Sequence, residues 1–546
     1  MPVGKASWWR RHPVLASLTA FASAAVVAVA AFTIVERATA PELECGSGMV
    51  VNASSTACIG LNLTGGPLSK DQPDRLSQLV ADVEDNNAAV SGTSYLSVVL
   101  LLNFSPVENV DTTSYDGVYR SIEGALTAVW RANHTAAFSG SSVLIEEEPK
   151  VKLFLANMGS ENADWEQAVD QIAANAEANH ITSVVGLGQS TDNTRKAVKR
   201  LTTVHRIPVI GATVTGDSMN VDIADNRTLL NGFFRVSPTN SDTVAAAVRY
   251  ITEGLHVPLD KVAIVEDTVA SDDYVSTLVQ AAHTHLGTAH RFPFTSPDIN
   301  ADTQARAESL RGQFGYLNIN LCAAAPEVVY FAGRGADIGT FVRTWVESGT
   351  ECGSRPLVVL TGDDGIQAVR DDAVARAVGD PRATVKVRYT GLASPGKWGD
   401  CATGPDFAAE RAAYHQFEAA FTGKPSCDTD ISSTDNAKRL AFPVEDLDNG
   451  QAILTHDAAG LAVTAARRAG TSALSDPMSQ IGVLQQTRCR TVFLGASGII
   501  QFSADRRYYG NPIGAVLPIL EITKDKTAVT IPPGWAIGGP SPTDGC

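Results

Sequence analysis

Residues 181–215 read ITSVVGLGQSTDNTRKAVKRLTTVHRIPVIGATVT. Ile181–Val185, rich in β-branched residues and ended by glycine, reads as a strand. The turn Gly186-Leu187-Gly188-Gln189-Ser190-Thr191 follows, and then a segment that places Ala197, Val198, Leu201 and Val204 on one side of a helix. Ile207–Ile210 is a second apolar strand, ended by Gly211-Ala212-Thr213-Val214-Thr215. Two strands joined through a helix run parallel, and such crossovers are right-handed.

The same alternation extends in both directions. Upstream, Val98–Leu102 and Val151–Leu155 read as strands, separated by an amphipathic stretch near Tyr115–Asn133. A helix bearing Trp165, Val169, Ile172 and Ala176 follows the second. After Phe233–Pro238 the pattern restarts with a helix near Thr243–Leu255. Strands are expected at Lys261–Val265, Glu327–Phe331 and Leu357–Leu360, with Ile338, Phe341, Val342 and Trp345 on one helical face between the last two. The restart near residue 236 predicts an α/β chain with two sheets. Residues 41–95, rich in Gly, Ser and Asn, are expected to form a small lead-in module with a Cys45–Cys58 loop and a helix near Pro73–Asp85. Residues 531–546, rich in Pro and Gly, read as an irregular tail.

The N-terminus has another character. Lys5, Arg10 and Arg11, with Trp8 and Trp9, precede Val14 to Val35, a stretch without a charge. It matches the roughly 20 residues that cross a bilayer as a helix, with the basic flank on the cytoplasmic side. Residues 1–40 are therefore read as a signal-anchor, which makes the protein a single-pass cell-membrane protein with its main domain extracytoplasmic. Ala38-Thr39-Ala40 offers the alternative of a cleaved signal peptide and secretion. In both readings the rest of the chain is exported. The eight cysteines suit that compartment, since they are even in number and contain no C-x-x-C pair. Sequential pairing gives Cys45–Cys58, Cys322–Cys352, Cys401–Cys427 and Cys489–Cys546, one of 105 connectivities open to eight cysteines. The formal charge of −16, with no long basic run in the body, excludes a surface that tracks nucleic-acid phosphates and disfavours peripheral binding to anionic lipid.

Signatures of common catalysis are missing: no G-x-S-x-G elbow, no G-x-x-x-x-G-K-[ST] loop and no H-E-x-x-H helix. Gly333-Arg334-Gly335 follows a strand but lacks the third glycine of a dinucleotide loop. The chain is read as a binding protein rather than an enzyme, with no metal and no cofactor. Chemistry collects instead at the strand ends. In open α/β sheets ligands sit beyond the carboxyl ends of the strands, near helix N-termini with free N–H groups. The loops 186–191 and 211–215 put small hydroxyl residues there.

At these residues the chain resembles the type I periplasmic binding proteins, in particular the branched-chain amino-acid (leucine) binding group. VVGLGQST (184–191) looks like that family's strand and Ser/Thr-rich turn, and IPVIGATVT (207–215) like its next strand and Ala-Thr loop. FFRVSPTNSDTVAAAVRYI (233–251) resembles the crossover into a second lobe. KVAIVEDTVASDDYVSTLVQAA (261–282), EVVYFAGRGADIGTFVRTW (327–345) and LVVLTGDDG (357–365) resemble its successive units, and LGASGIIQFSADRRYYGNPIGAVLPILEI (494–522) the terminal segment. The resemblance covers roughly residues 96–530. It implies two lobes, each a parallel sheet flanked by helices and joined by three crossovers: lobe 1 at about 96–235 and 393–511, lobe 2 at about 236–392 and 512–530. It also implies a ligand site at Gln189, Ser190, Thr191, Ala212, Thr213, Tyr274, Arg334 and Asp364, with Asp364 as the acidic group that meets an ammonium. The implied function is capture of a small polar ligand, an amino acid or a relative, for an ABC-type permease. A membrane-anchored sensor with a signalling partner is the alternative, and an extracellular enzyme a third reading. The anchor, the 41–95 module and the long polar stretch 395–450 depart from the simple periplasmic form.

Overall fold

The computed structural model describes residues 43–537, apart from 93, 108–110, 135–147, 270–271, 298–302, 349–354, 381–383, 399–400, 402–406, 428 and 430–438. The first sheet takes strands β1 (Met49–Val51), β2 (Cys58–Asn62), β3 (Tyr95–Leu102), β4 (Lys150–Asn157), β5 (Ile181–Gly186), β6 (Val209–Gly211) and β7 (Phe233–Arg235), in the order β1-β2-β4-β3-β5-β6-β7. The chain then enters a second sheet with β8 (Val262–Asp267), β9 (His290–Phe294), β10 (Val328–Ala332), β11 (Leu357–Thr361) and β12 (Val385–Thr390). It returns to the first body through the helices Ala408–Thr422 and Gln451–Ala469, the second of which packs along Tyr115–Asn133. A hairpin, β13 (Phe493–Gly495) and β14 (Gly498–Ile500), precedes the last passage. Finally β15 (Val516–Ile522) and β16 (Ala528–Ile537) complete the second sheet, ordered β16-β15-β12-β11-β10-β8-β9.

Both sheets are mixed rather than parallel throughout. Five parallel strands form the body of each, and two antiparallel strands are added at one edge: β1 and β2 in the first, β15 and β16 in the second. The hairpins β1–β2 and β15–β16 follow from short connections, because a parallel neighbour needs a crossover of a dozen or more residues. This corrects two expectations. Residues 49–62 do not stand apart in a lead-in module but pair with β4 through Gly60, Leu61 and Asn62. The residues read as an irregular tail contribute β16 as far as Ile537, with a register shift opposite Pro518 and Leu520. Pro532 and Pro533 fall in that register shift, between the paired Thr530 and Trp535, so their missing N–H groups break no ladder.

Alternation along the strands builds a core on each face of the second sheet. Ala263, Val265, Val329, Phe331, Val359 and Val387 face one cluster with Phe314, Phe341 and Trp345. Val262, Ile264, Val328, Tyr330 and Leu360 face the other with Tyr250, Tyr274 and Leu278. A strand buried on both sides must be apolar at every position, so these strands appear as unbroken apolar runs.

Cys45–Cys58 and Cys401–Cys427 are disulfide-bonded as expected. Cys322 and Cys489 are also in disulfides, but Cys352 and Cys546, their expected partners, lie outside the described residues. So does the expected membrane span at Val14 to Val35. Among the described residues no helix is long and apolar enough to cross a membrane.

Candidate ligand-binding cleft

A cleft of about 490 Å³ lies between the two sheets, at the carboxyl ends of their parallel strands. The first lobe lines it with Thr112, Thr113, Ser114, Gly188, Gln189, Ser190, Thr213 and Thr215. These loops are shaped by local chemistry. Gly186 ends β5 at φ +100°, and a side chain there would meet Leu100 at 2.7 Å, so the chain turns where only glycine fits. Ser190 accepts from the Gly216 N–H at 3.0 Å, and Thr213 donates to the Gly188 carbonyl at 2.9 Å. The two loops thereby brace each other. The Gln189 amide lies 2.8 Å from the Thr113 hydroxyl. Ser114 caps the helix Tyr115–Asn133, whose first turn rims the cleft.

The second lobe supplies Tyr274, Arg334, Asp363, Asp364, Gln367 and Tyr389. Asp272 receives Arg334 through two bonds of 2.7 and 2.8 Å, and the guanidinium lies over the Tyr274 ring at 4.6 Å. Burial opposes the charge on Arg334, but Asp272 and Asp364 outweigh it and raise its pKa. Asp364 accepts from the Gly335 N–H at 2.8 Å and from the Gln367 amide at 2.7 Å, and its own N–H donates to the Tyr274 hydroxyl at 3.1 Å. Gly335 is required here, since a Cβ would lie 1.8 Å from the Asp364 carbonyl oxygen. Burial raises the Asp364 carboxyl, with Arg334 pulling the other way. The neighbouring Asp363 is pushed up to about 7 by burial and then by the Asp364 charge. Its side chain takes a 3.3 Å bond from the Thr215 hydroxyl on the opposite lobe. Gln367 also reaches across to the Thr112 carbonyl at 3.3 Å, and Arg370 pairs with Asp116.

Of the residues expected at the site, Gln189, Ser190, Thr213, Tyr274, Arg334 and Asp364 line the cleft. Thr191 does not. Its hydroxyl accepts from the Thr194 N–H at 3.2 Å and caps the helix Asp192–Lys199, which turns it away from the opening. Ala212 is also excluded: it is buried beneath the loop, with its N–H on the Gly186 carbonyl at 2.9 Å. Arg334 is in place, but its charge is met by carboxylates of its own lobe rather than held open for an anion. The reading of the sequence overlooked Thr112–Ser114 and Gln367, and it took Thr215 only as part of its hydroxyl loop and Asp363 as a turn residue. A hydroxyl-rich stretch before the helix at Tyr115 was a usable signal, masked by the long loop that separates it from β3. We expect Thr191→Ala to lower stability by about 1 kcal/mol through loss of the cap, with ligand affinity unchanged. Thermal unfolding and calorimetry on the same preparation check the two parts.

Known structures share this arrangement. A leucine binding protein from Thermotoga maritima is 16% identical, with a TM-score of 0.50, over 81% of this chain and 99% of its own. A substrate binding protein of an ABC transporter from Aeropyrum pernix is 11% identical, with a TM-score of 0.52, over 82% and 97%. An ABC-transporter solute binding protein from Rhodopseudomonas palustris HaA2, in complex with p-hydroxybenzoic acid, is 13% identical, with a TM-score of 0.53, over 82% and 98%. No family model matches the chain, and no curated protein matches it. The paired seven-stranded sheets, the passages between them and this likeness lead to one conclusion: the chain has the two-lobed fold of the type I periplasmic binding proteins.

Proposed function

We propose that this protein is an extracytoplasmic solute-binding protein that captures a small polar ligand by closing its two lobes, and that it is not an enzyme. The observation that carries this reading is the cleft, whose opposite walls offer complementary groups. One wall presents hydroxyls and loop N–H groups, the other a pair of buried carboxylates beside tyrosines. A zwitterion needs donors for its carboxylate and an acceptor for its ammonium. On the donor side Ser190 accepts from the Gly216 N–H and keeps its own hydroxyl proton for the ligand, whereas Thr213 and Thr215 donate theirs to the Gly188 carbonyl and to Asp363. On the acceptor side Asp363 suits the ammonium better than Asp364, because both oxygens of Asp364 are already engaged within the second lobe. An amino acid or a close relative fits best, and the leucine and p-hydroxybenzoic acid named for the similar structures are ligands of the same size class.

In this reading residues 1–40 anchor the protein and a permease of the ABC type receives the ligand. The uncharged stretch Val14 to Val35 also supports a second reading, in which an anchored ectodomain reports the closed state to a signalling partner. N-terminal sequencing that begins at Pro41 would refute the anchor. Native mass spectrometry of the purified protein should show a small molecule released unchanged. Calorimetry against amino acids, hydroxybenzoates, sugars and nucleosides should show binding in the first group. Binding of sugars alone would overturn the ligand class, and turnover of the ligand would overturn the binding-protein reading.

A further inference from the structure

Two disulfides of this protein stand in different surroundings. In Cys45–Cys58, Cys58 is fully buried. In Cys401–Cys427 both cysteines are exposed, while the histidine beside them is buried. That histidine, His415, places Nε2 3.3 Å from Cys427 Sγ. Its Nδ1 lies 2.8 Å from the Ser426 hydroxyl oxygen and 3.4 Å from Glu418 Oε2. Ser426 donates its own proton to the same Glu418 oxygen, so its hydroxyl oxygen is left to accept from His415. This fixes the hydrogen of the neutral ring on Nδ1 and leaves the Nε2 lone pair facing the sulfur. Glu418 and His415 sit three residues apart on the helix Ala408–Thr422, one turn that brings both to the same face. Burial would raise the Glu418 carboxyl, but the bonds from His415 and Ser426 outweigh it and hold it below its usual range. Carboxylate, imidazole and sulfur therefore form a chain that ends on Cys427.

A disulfide opens when a thiolate attacks one sulfur and the other departs with the electron pair. The rate rises as the departing thiolate is stabilised. A protonated imidazole beside a sulfur is one of the environments that stabilise its thiolate. We propose that Cys401–Cys427 is a thiol-exchange site with a fixed polarity, acting on small-molecule thiols. The incoming thiol gives its proton to solvent, and its sulfur forms a new bond to exposed Cys401 Sγ. The Cys401–Cys427 bond breaks, and Cys427 Sγ takes the electron pair. The resulting thiolate accepts a hydrogen bond from protonated His415 Nε2. The mixed disulfide on Cys401 is the product, and Cys427 is the reduced partner.

The test uses the full-length oxidised protein, limiting reduced glutathione, an acid quench, alkylation and peptide mass mapping. Glutathione is expected on Cys401 and the alkyl group on Cys427, with Cys45–Cys58 intact at the same time point. His415→Gln should slow exchange by about 10-fold, because the departing thiolate loses the cationic donor beside it. Glutathione found equally on both cysteines, or earlier opening of Cys45–Cys58, would overturn the proposal on the parent protein alone. A folded His415→Gln protein that exchanges at the parental rate would also overturn it.

Discussion

An Asp363→Asn protein is expected to bind an amine-bearing ligand at least about 30-fold more weakly at pH 8, roughly 2 kcal/mol, because a buried charge-assisted contact is lost. The same substitution should make the empty protein more stable at that pH. Asp363 is pushed up to about 7 from 3.8 by burial and by Asp364. A carboxyl raised on folding favours the protonated native state. Its contribution to stability is complete below about pH 4 and is lost as pH rises through about 7. Thermal unfolding of parent and variant should therefore diverge as pH rises from 4 to 8, with the variant the more stable. Ligand affinity should run the opposite way, since only the ionised carboxyl holds an ammonium. In the parent it should fall as pH drops below about 7 and binding should release a proton, which calorimetry in two buffers of different ionisation enthalpy detects. Parental affinity that is flat from pH 5 to 8 would remove Asp363 from the site.

Asp457→Ala should be the most damaging change to the fold itself. Asp457 is fully buried on the helix Gln451–Ala469. It accepts from the N–H groups of Ala496 and Ser497 at 2.7 and 2.8 Å, and from the Ser497 hydroxyl at 2.6 Å, holding the β13–β14 turn to the helix. Its other contact is His456 Nδ1 at 2.8 Å, and His456 Nε2 lies 2.8 Å from the buried Arg131 guanidinium. Burial lowers the pKa of His456, so the neutral ring relays between Arg131 and Asp457. Truncation leaves several buried donors unanswered and removes the carboxylate that balances Arg131. The expected cost is about 3–5 kcal/mol, roughly a 3–5 °C drop in melting temperature for a chain of this length. Denaturant unfolding checks it, and a loss under about 1 kcal/mol would show that the network carries little stability.

The strands that were legible in advance were those buried on both faces. β3, β4, β8, β10 and β11 each contain an unbroken apolar run, β5 ends on a Val-Val pair, and each was placed within a few residues. The strands that escaped were edge strands, short ones or, like β12 with Lys386 and Arg388, strands whose apolar run is broken by charge. Among them, β1 and β16 need no apolar run, because one side of an edge strand meets no neighbour. β16 even carries prolines. The candidate site divided in the same manner. Ser190 and Thr213 were visible as hydroxyls at strand ends, where the sheet geometry collects ligands. Thr191, one residue on, has the same chemistry and does a different task, because the helix that starts there turns its hydroxyl onto Thr194.

The sequence by itself determined the local order of strands and helices and the loops at their ends. It also placed acidic residues after β11. Periodicity and composition act over a few residues, and that range suffices for such features. The two disulfides between sequential cysteines, one choice among many in the sequence, were decided by the structure. Only the tertiary structure decided which hydroxyls face the cleft and which of two adjacent aspartates is already committed. It alone also set a buried histidine against one sulfur of an exposed disulfide. Those outcomes depend on groups far apart in the chain: Asp363 meets Thr215, Asp116 meets Arg370, and Arg131 reaches Asp457 through His456. No local pattern encodes such meetings, because they are fixed by how two sheets and their helices pack.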